Sequence, residues 1–198
     1  RPRILKNIIP LADAIVYAYL PGDEGGQAIA SVLYGETNPS GKLPFSYPAD
    51  ANSLLYYDRK HAENINVDFS NKGYNPAFDF GFGMSYSNFI YSGMAVSKIT
   101  LNENDSIGVS VVVKNNSEIE GKEVVQIYYS DLVASITPSV KKLLAFKKIN
   151  LKAGEQQTIT FQIHKNELAF VNKQLKRVTE AGEFDLMIQN ETKRIYVN

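Results

Sequence analysis

Seven short segments, rich in β-branched and aromatic residues, follow one another from Phe89 to the end of the chain. They read FIYSGMAVSKITL, SIGVSVVVKNN, KEVVQIYYSDL, KKLLAFKKINL, QQTITFQIH, GEFDLMIQN and KRIYVN. Turn-forming clusters such as Asn115-Asn116-Ser117, Lys152-Ala153-Gly154 and Glu180-Ala181-Gly182 separate them. Runs of this kind, bounded by Asn, Gly and Ser, read as strands. In QQTITFQIH the alternation is explicit: Ile159, Phe161 and Ile163 share one face, and Thr158, Thr160 and Gln162 the other. Seven such strands in about 110 residues have the size and rhythm of an immunoglobulin-like sandwich. With neither Cys nor Trp in the sequence, the inter-sheet disulfide and packed indole of antibody domains are ruled out, which points to the fibronectin type III kind.

Residues 1–48 have a different character. ADAIVYAYL (residues 12–20) is a nearly unbroken apolar run of strand length, the pattern of a strand buried on both faces of a parallel sheet. GGQAIASVLYG (residues 25–35) follows, with Ala28, Ile29, Val32 and Leu33 at helical spacing and Gly35 as the stop. Asp23 and Glu24 fall at the helix start, where carboxylates complement the dipole. The glycines between strand and helix read as a tight turn at a strand's carboxyl end, a place where open α/β sheets also put ligands. One strand, one helix and one extended segment are too little to cover a parallel sheet on both faces, so residues 1–48 read as the end of an α/β domain.

Residues 49–88 join the two parts with little periodic order. Tyr56, Tyr57, Phe69, Tyr74, Phe78, Phe80, Phe82 and Tyr86 lie in this stretch. So many aromatics argue against disorder and for a linker that packs across its neighbours.

Several function classes drop out on composition and motif. Lys plus Arg and Asp plus Glu number 21 each in 198 residues, so no global field draws the chain to nucleic acid or to an anionic membrane. The absence of Cys excludes disulfides, thiolate zinc sites and a cysteine nucleophile. No apolar run approaches the roughly 20 residues that cross a bilayer, and the first residues lack the pattern of a secretory signal. Gly41-Lys42 invites comparison with a phosphate loop, but Leu43 follows where a hydroxyl is needed and Glu36 stands where the first glycine should be. Gly22, Gly25 and Gly26 are spaced wrongly for a dinucleotide fingerprint. No cofactor is expected. His61 and His164 are isolated, without a second ligand at metal-binding spacing, so no metal is expected either.

Taken together, the pieces resemble the C-terminal part of glycoside hydrolase family 3, the β-glucosidase and β-xylosidase group. The matching pieces are Arg1-Pro2, Ala12-Asp13-Ala14-Ile15, PGDEGGQAIASVLYG, NPSGKLPFSYP, FDFGFGMSYSNF, VVVKNNSEIEGKEVVQIYYSD and LLAFKKINLKAGEQQTITFQI, in that order. The resemblance covers essentially the whole chain. It implies the C-terminal end of an α/β sandwich domain (1–48), an aromatic-rich linker (49–88) and a fibronectin type III-like domain (89–198). It also implies a retaining mechanism, in which one carboxylate attacks the anomeric carbon and a second, about 5 to 5.5 Å away, serves as acid and then base. In the family the nucleophile lies on an upstream (β/α)8 barrel and the acid/base residue usually lies earlier in the sandwich domain than Arg1, so no catalytic residue is carried over to this chain. The implied partners are that barrel, the remainder of the α/β domain and, through the intact enzyme, an oligo- or aryl β-glycoside. The implied location is periplasmic or secreted.

The carboxylates that are present do not suggest catalysis. Asp23 and Glu24 are adjacent in a turn, and the helix dipole stabilises an anion there, the wrong direction for a general acid. Asp58, Glu63 and Asp68 lie in the linker. Tyr57, Arg59 and His61 are the candidate substrate-binding residues, because aromatic faces and donors together stack on and hydrogen-bond sugars. The same side chains serve equally to fasten the linker, and anchoring is the preferred reading. The competing overall reading is a non-enzymatic carbohydrate-binding or adhesion module, against which stands the piece of α/β sheet at residues 1–48.

Overall fold

A computed structural model describes residues 2–53, 56–60 and 74–198. Its core is a β-sandwich that begins at Phe89. Strands β3 (Phe89–Val96), β5 (Ser106–Asn115) and β8 (Gln156–His164) form a three-stranded antiparallel sheet in the order β3-β5-β8. The facing sheet has the order β4-β12-β11-β6-β7, built from β4 (Thr100–Leu101), β6 (Gly121–Asp131), β7 (Lys142–Leu151), β11 (Gly182–Ile188) and β12 (Glu191–Val197). All seven expected strands are present, and the chain changes sheets after β3 to add β4 parallel to β12. Two-residue strands β9 (Phe170–Val171) and β10 (Arg177–Val178) pair in the connection before β11.

Alternation places the core between the sheets. Ile107, Val109, Val111 and Val113 of β5 and Ile159, Phe161 and Ile163 of β8 face Val125, Ile127 and Tyr129 of β6 and Phe184, Leu186 and Ile188 of β11, all buried. The strand at residues 156–164 buries the face read from its sequence. Every buried member of this core lies between Met94 and Val197.

The first part carries one α-helix, α1 (Gly25–Leu33), with Glu24 at its N-cap, and a short 3₁₀ turn at Ile9–Leu11. The apolar run at 12–20 forms no strand here: no ladder partner lies beside it among the described residues. Leu11 and Leu20 are 85% and 91% exposed, and Ile15, Val16 and Leu33 are exposed as well. A strand exists only through its neighbours' hydrogen bonds, and the described residues supply none for the run.

What order the first part has comes from aromatic packing. Strand β1 (Tyr47–Pro48) pairs with β2 (Pro76–Phe78) of the linker. The Tyr47 ring is buried among Tyr17, Phe45 and Phe78, with centroids 5.6 to 6.0 Å away, and its hydroxyl donates to the Arg3 carbonyl at 2.7 Å. Of the linker aromatics, Phe78 packs on Tyr47 and stacks on Phe82 at 5.2 Å, while Tyr56 is exposed.

Candidate functional site

The linker segment 56–60 lies against the sandwich. The Val140 N–H donates to the Arg59 carbonyl at 2.8 Å, and Lys60 bridges to Ser139. Tyr57 stacks on Phe80 at 4.0 Å between centroids, and Phe80 in turn presents its edge to Tyr128 of β6 at 6.4 Å. The Arg59 guanidinium sits 3.7 Å from the centre of the Tyr74 ring, whose hydroxyl donates to Asp79 at 2.7 Å. Burial, with Tyr57 and Asp79 nearby, pushes the Tyr128 hydroxyl up to about 12, so it stays protonated and donates to Gln126. Tyr57 and Arg59 thus share one cluster with the sandwich surface. His61 lies outside the described residues, as do Glu63, Asp68 and Phe69.

A second cluster, not foreseen from sequence, joins NPSGKLP to the glycine-rich run 80–87 and to β6. The side-chain amide of Asn38 makes four hydrogen bonds. Its nitrogen donates to Ser87 Oγ and to the Glu120 carbonyl, both at 2.9 Å, and its oxygen accepts from Ser85 Oγ at 2.8 Å and the Tyr86 N–H at 2.9 Å. The backbones of Leu43 and of Gly81 and Phe82 exchange two further bonds at 2.8 Å. This closeness requires glycine. A Cβ on Gly83 would fall 2.0 Å from the Gly41 carbonyl oxygen, and Gly81, at φ +80°, would put one 2.4 Å from the Gln126 side chain.

The Gly41-Lys42 pair has a structural role here. The Lys42 ammonium donates to the Gly83 carbonyl at 2.8 Å and lies 3.1 Å from Glu123, with the two side chains 16% and 5% exposed. Glu123 also accepts from the Tyr91 hydroxyl at 2.9 Å. Burial, reinforced by the Glu123 charge, drives the Tyr91 hydroxyl far above the usual phenol range, which keeps it a donor. A signal for this site was present in KEVVQIYYSD: Glu123 is in phase with the core positions Val125, Ile127 and Tyr129, and a charge at a core position needs a partner. The cluster borders an open groove of about 620 Å³ lined by Lys42, Tyr86, Tyr91, Glu123, Asn190 and Glu191 among others.

None of these arrangements is a pair of facing carboxylates poised for acid/base work. Asp23 and Glu24 are exposed at the start of α1, and Glu24 makes no side-chain capping bond. Glu123 is neutralised by Lys42. Among the described residues no group of three or more His, Asp or Glu could hold a metal ion, and no helix is long and apolar enough to cross a membrane.

Residues 1–86 match the model of the glycosyl hydrolase family 3 C-terminal domain, and residues 123–192 that of the fibronectin type III-like domain. The periplasmic β-glucosidase of Salmonella typhimurium is 37% identical over 98% of this chain and 27% of its own length. The lysosomal β-glucosidase of Dictyostelium discoideum is 36% identical over the whole chain and 25% of its own length. The crystal structure of β-glucosidase from Listeria innocua in complex with gluconolactone superimposes with a TM-score of 0.90 at 34% identity, covering all of this chain and 30% of that one. The chain spans 25 to 30% of the length of these relatives.

Proposed function

Because the chain belongs to glycosyl hydrolase family 3, where it corresponds to the C-terminal domain and the fibronectin type III-like domain, we propose that it is the C-terminal portion of a retaining β-glycosidase of the β-glucosidase type. The enzyme hydrolyses terminal β-linked sugars, and its nucleophile and acid/base residue are supplied by an upstream barrel and the rest of the α/β domain. The observation that carries this reading is the uncovered apolar side of residues 4–34: Ile8, Leu11, Ile15, Val16, Leu20 and Leu33 are exposed on a segment with no sheet beside it among the described residues. A free-standing sugar-binding or adhesion module has no use for such a face, whereas a piece of an α/β domain must bury it against the remainder. The division at residues 48 and 88 is part of the proposal. So is a periplasmic or secreted location, which one relative's description supports.

Within the enzyme, the loop carrying Tyr57, Arg59 and His61 borders the sugar site. Tyr57 and Arg59 serve as its anchors, since their rings and cation are already engaged by Phe80 and Tyr74. Alanine at each of these positions, in the chain joined to its catalytic barrel, separates anchoring from sugar contact. Anchoring predicts a lower melting temperature with little change in KM for Tyr57→Ala and Arg59→Ala. Direct contact predicts a KM raised roughly five-fold or more with the melting temperature unchanged, on about 1 kcal/mol or more of lost hydrogen bonding.

A further inference from the structure

Asp131 ends β6 and is only 7% exposed. Its Oδ1 accepts the Val133 N–H at 3.2 Å, but Oδ2, also buried, has no hydrogen-bond partner. A buried carboxylate oxygen with neither donor nor cation is costly to hold. Its surroundings offer no relief. Its register partner on β11 is Phe184, and beside it on β6 is Tyr129, whose own hydroxyl is pushed up by burial and then by Asp131. Two cations of this end have partners of their own: Arg177 of β10 donates to the Asn166 carbonyl at 3.5 Å, and Arg194 of β12 is held by Asp185 and Glu183 of β11. On β7 the register partner of Tyr129 is Lys142, and the ion pairs among the described residues do not include Asp131; a further charged neighbour is an anion, Glu180, fixed in the turn before β11 by the Ser135 N–H at 2.7 Å.

We propose that Asp131 holds a proton in the folded protein in acid, which makes this end of the sandwich a pH-sensitive element, tighter in acid than near neutrality. The proton removes the charge from the buried Asp131 carboxyl, whose Oδ2 has no donor to hold it. Burial first, and Glu180 second among the raising effects, lift the Asp131 carboxyl above its ordinary value, against the opposing Val133 N–H bond. A carboxyl raised in the folded state binds its proton more tightly there than in the unfolded chain. The stabilisation is therefore full below the unfolded value and is lost as the pH rises through the folded one. With no third carboxylate or histidine beside the pair among the described residues, a proton rather than a metal ion fits the site.

Thermal unfolding of the 198-residue chain, wild type and Asp131→Asn, between pH 4 and pH 8 tests this. The amide keeps the acceptor for Val133 and removes the charge. The variant should melt roughly 3 °C or more above wild type at pH 8, and the two should converge towards pH 4. Carboxyl ¹³C titration of wild-type Asp131, which needs no variant, should give a midpoint above the ordinary aspartate value, and Glu180→Gln should lower it. The proposal is overturned by a variant no more stable than wild type at every pH, or by an Asp131 midpoint at or below the ordinary value. Stabilisation of wild type but not Asp131→Asn by millimolar Ca²⁺ would also overturn it, placing a cation where the proton is proposed.

Discussion

Replacing Lys42 by Met should cost far more than the loss of a surface charge. The side chain keeps its length and apolar stem, but Glu123, with 5% of its side chain exposed, loses the ammonium at 3.1 Å and retains the Tyr91 hydroxyl as donor. Breaking a buried pair by removing one partner costs about 3 to 5 kcal/mol. A surviving hydrogen bond to the charged group is worth about 1.5 to 3 kcal/mol, which sets the expectation near the lower end, about 3 kcal/mol. In a chain of this size, that lowers the melting temperature by about 6 to 12 °C. Differential scanning calorimetry of Lys42→Met, Glu123→Gln and the double variant measures the coupling. The double variant should recover most of the loss, because an uncharged amide at 123 still accepts from Tyr91, and the cycle should return a coupling of about 2 kcal/mol. A loss within the 1 kcal/mol or less of exposed pairs, or additive variants, would refute the claim that this pair ties the first part of the chain to the sandwich.

A chain beginning near Asn88 should fold on its own, since the buried core lies wholly between Met94 and Val197, and should be more soluble for losing the exposed Leu11 and Leu20; loss of cooperative unfolding by circular dichroism would show that the two parts share one core. In that shortened chain Glu123→Gln should be nearly silent in melting temperature, because Lys42 is gone and water replaces it. Asn38→Ala should destabilise the 198-residue chain by roughly 2 to 4 kcal/mol at about 1 kcal/mol for each of its hydrogen bonds, measured by urea unfolding, and a loss under about 0.5 kcal/mol would mean that water substitutes for the amide.

The sandwich was legible because each strand's alternation is local. Ile159, Phe161 and Ile163 announce a buried face without knowledge of anything else in the chain. The run at 12–20 shows the opposite case. Its apolar residues are those of a buried strand, but a ladder is a property of neighbours, and the described chain places none beside it. The junction was hidden for a third reason. Asn38, Lys42, Gly81, Gly83 and Glu123 are scattered over 86 positions of sequence, and only the chain's path brings them together. Lys42 looked like half a phosphate motif because its real partner, a glutamate in core phase on β6, lies far along the chain. Tyr57 and Arg59 were legible as residue types suited either to sugars or to anchoring, a choice that depends on whether Phe80 and Tyr74 already occupy them.

The most direct test of the central claim is hydrolysis of an aryl β-glucoside by the purified 198-residue chain, alone and joined to an upstream catalytic barrel of the family. The account predicts no turnover above the uncatalysed rate for the chain alone, and turnover once the barrel with its nucleophile is attached. Turnover by the chain alone that disappears on changing Asp23 or Glu24 would contradict it, because the catalytic carboxylates would then lie within these residues.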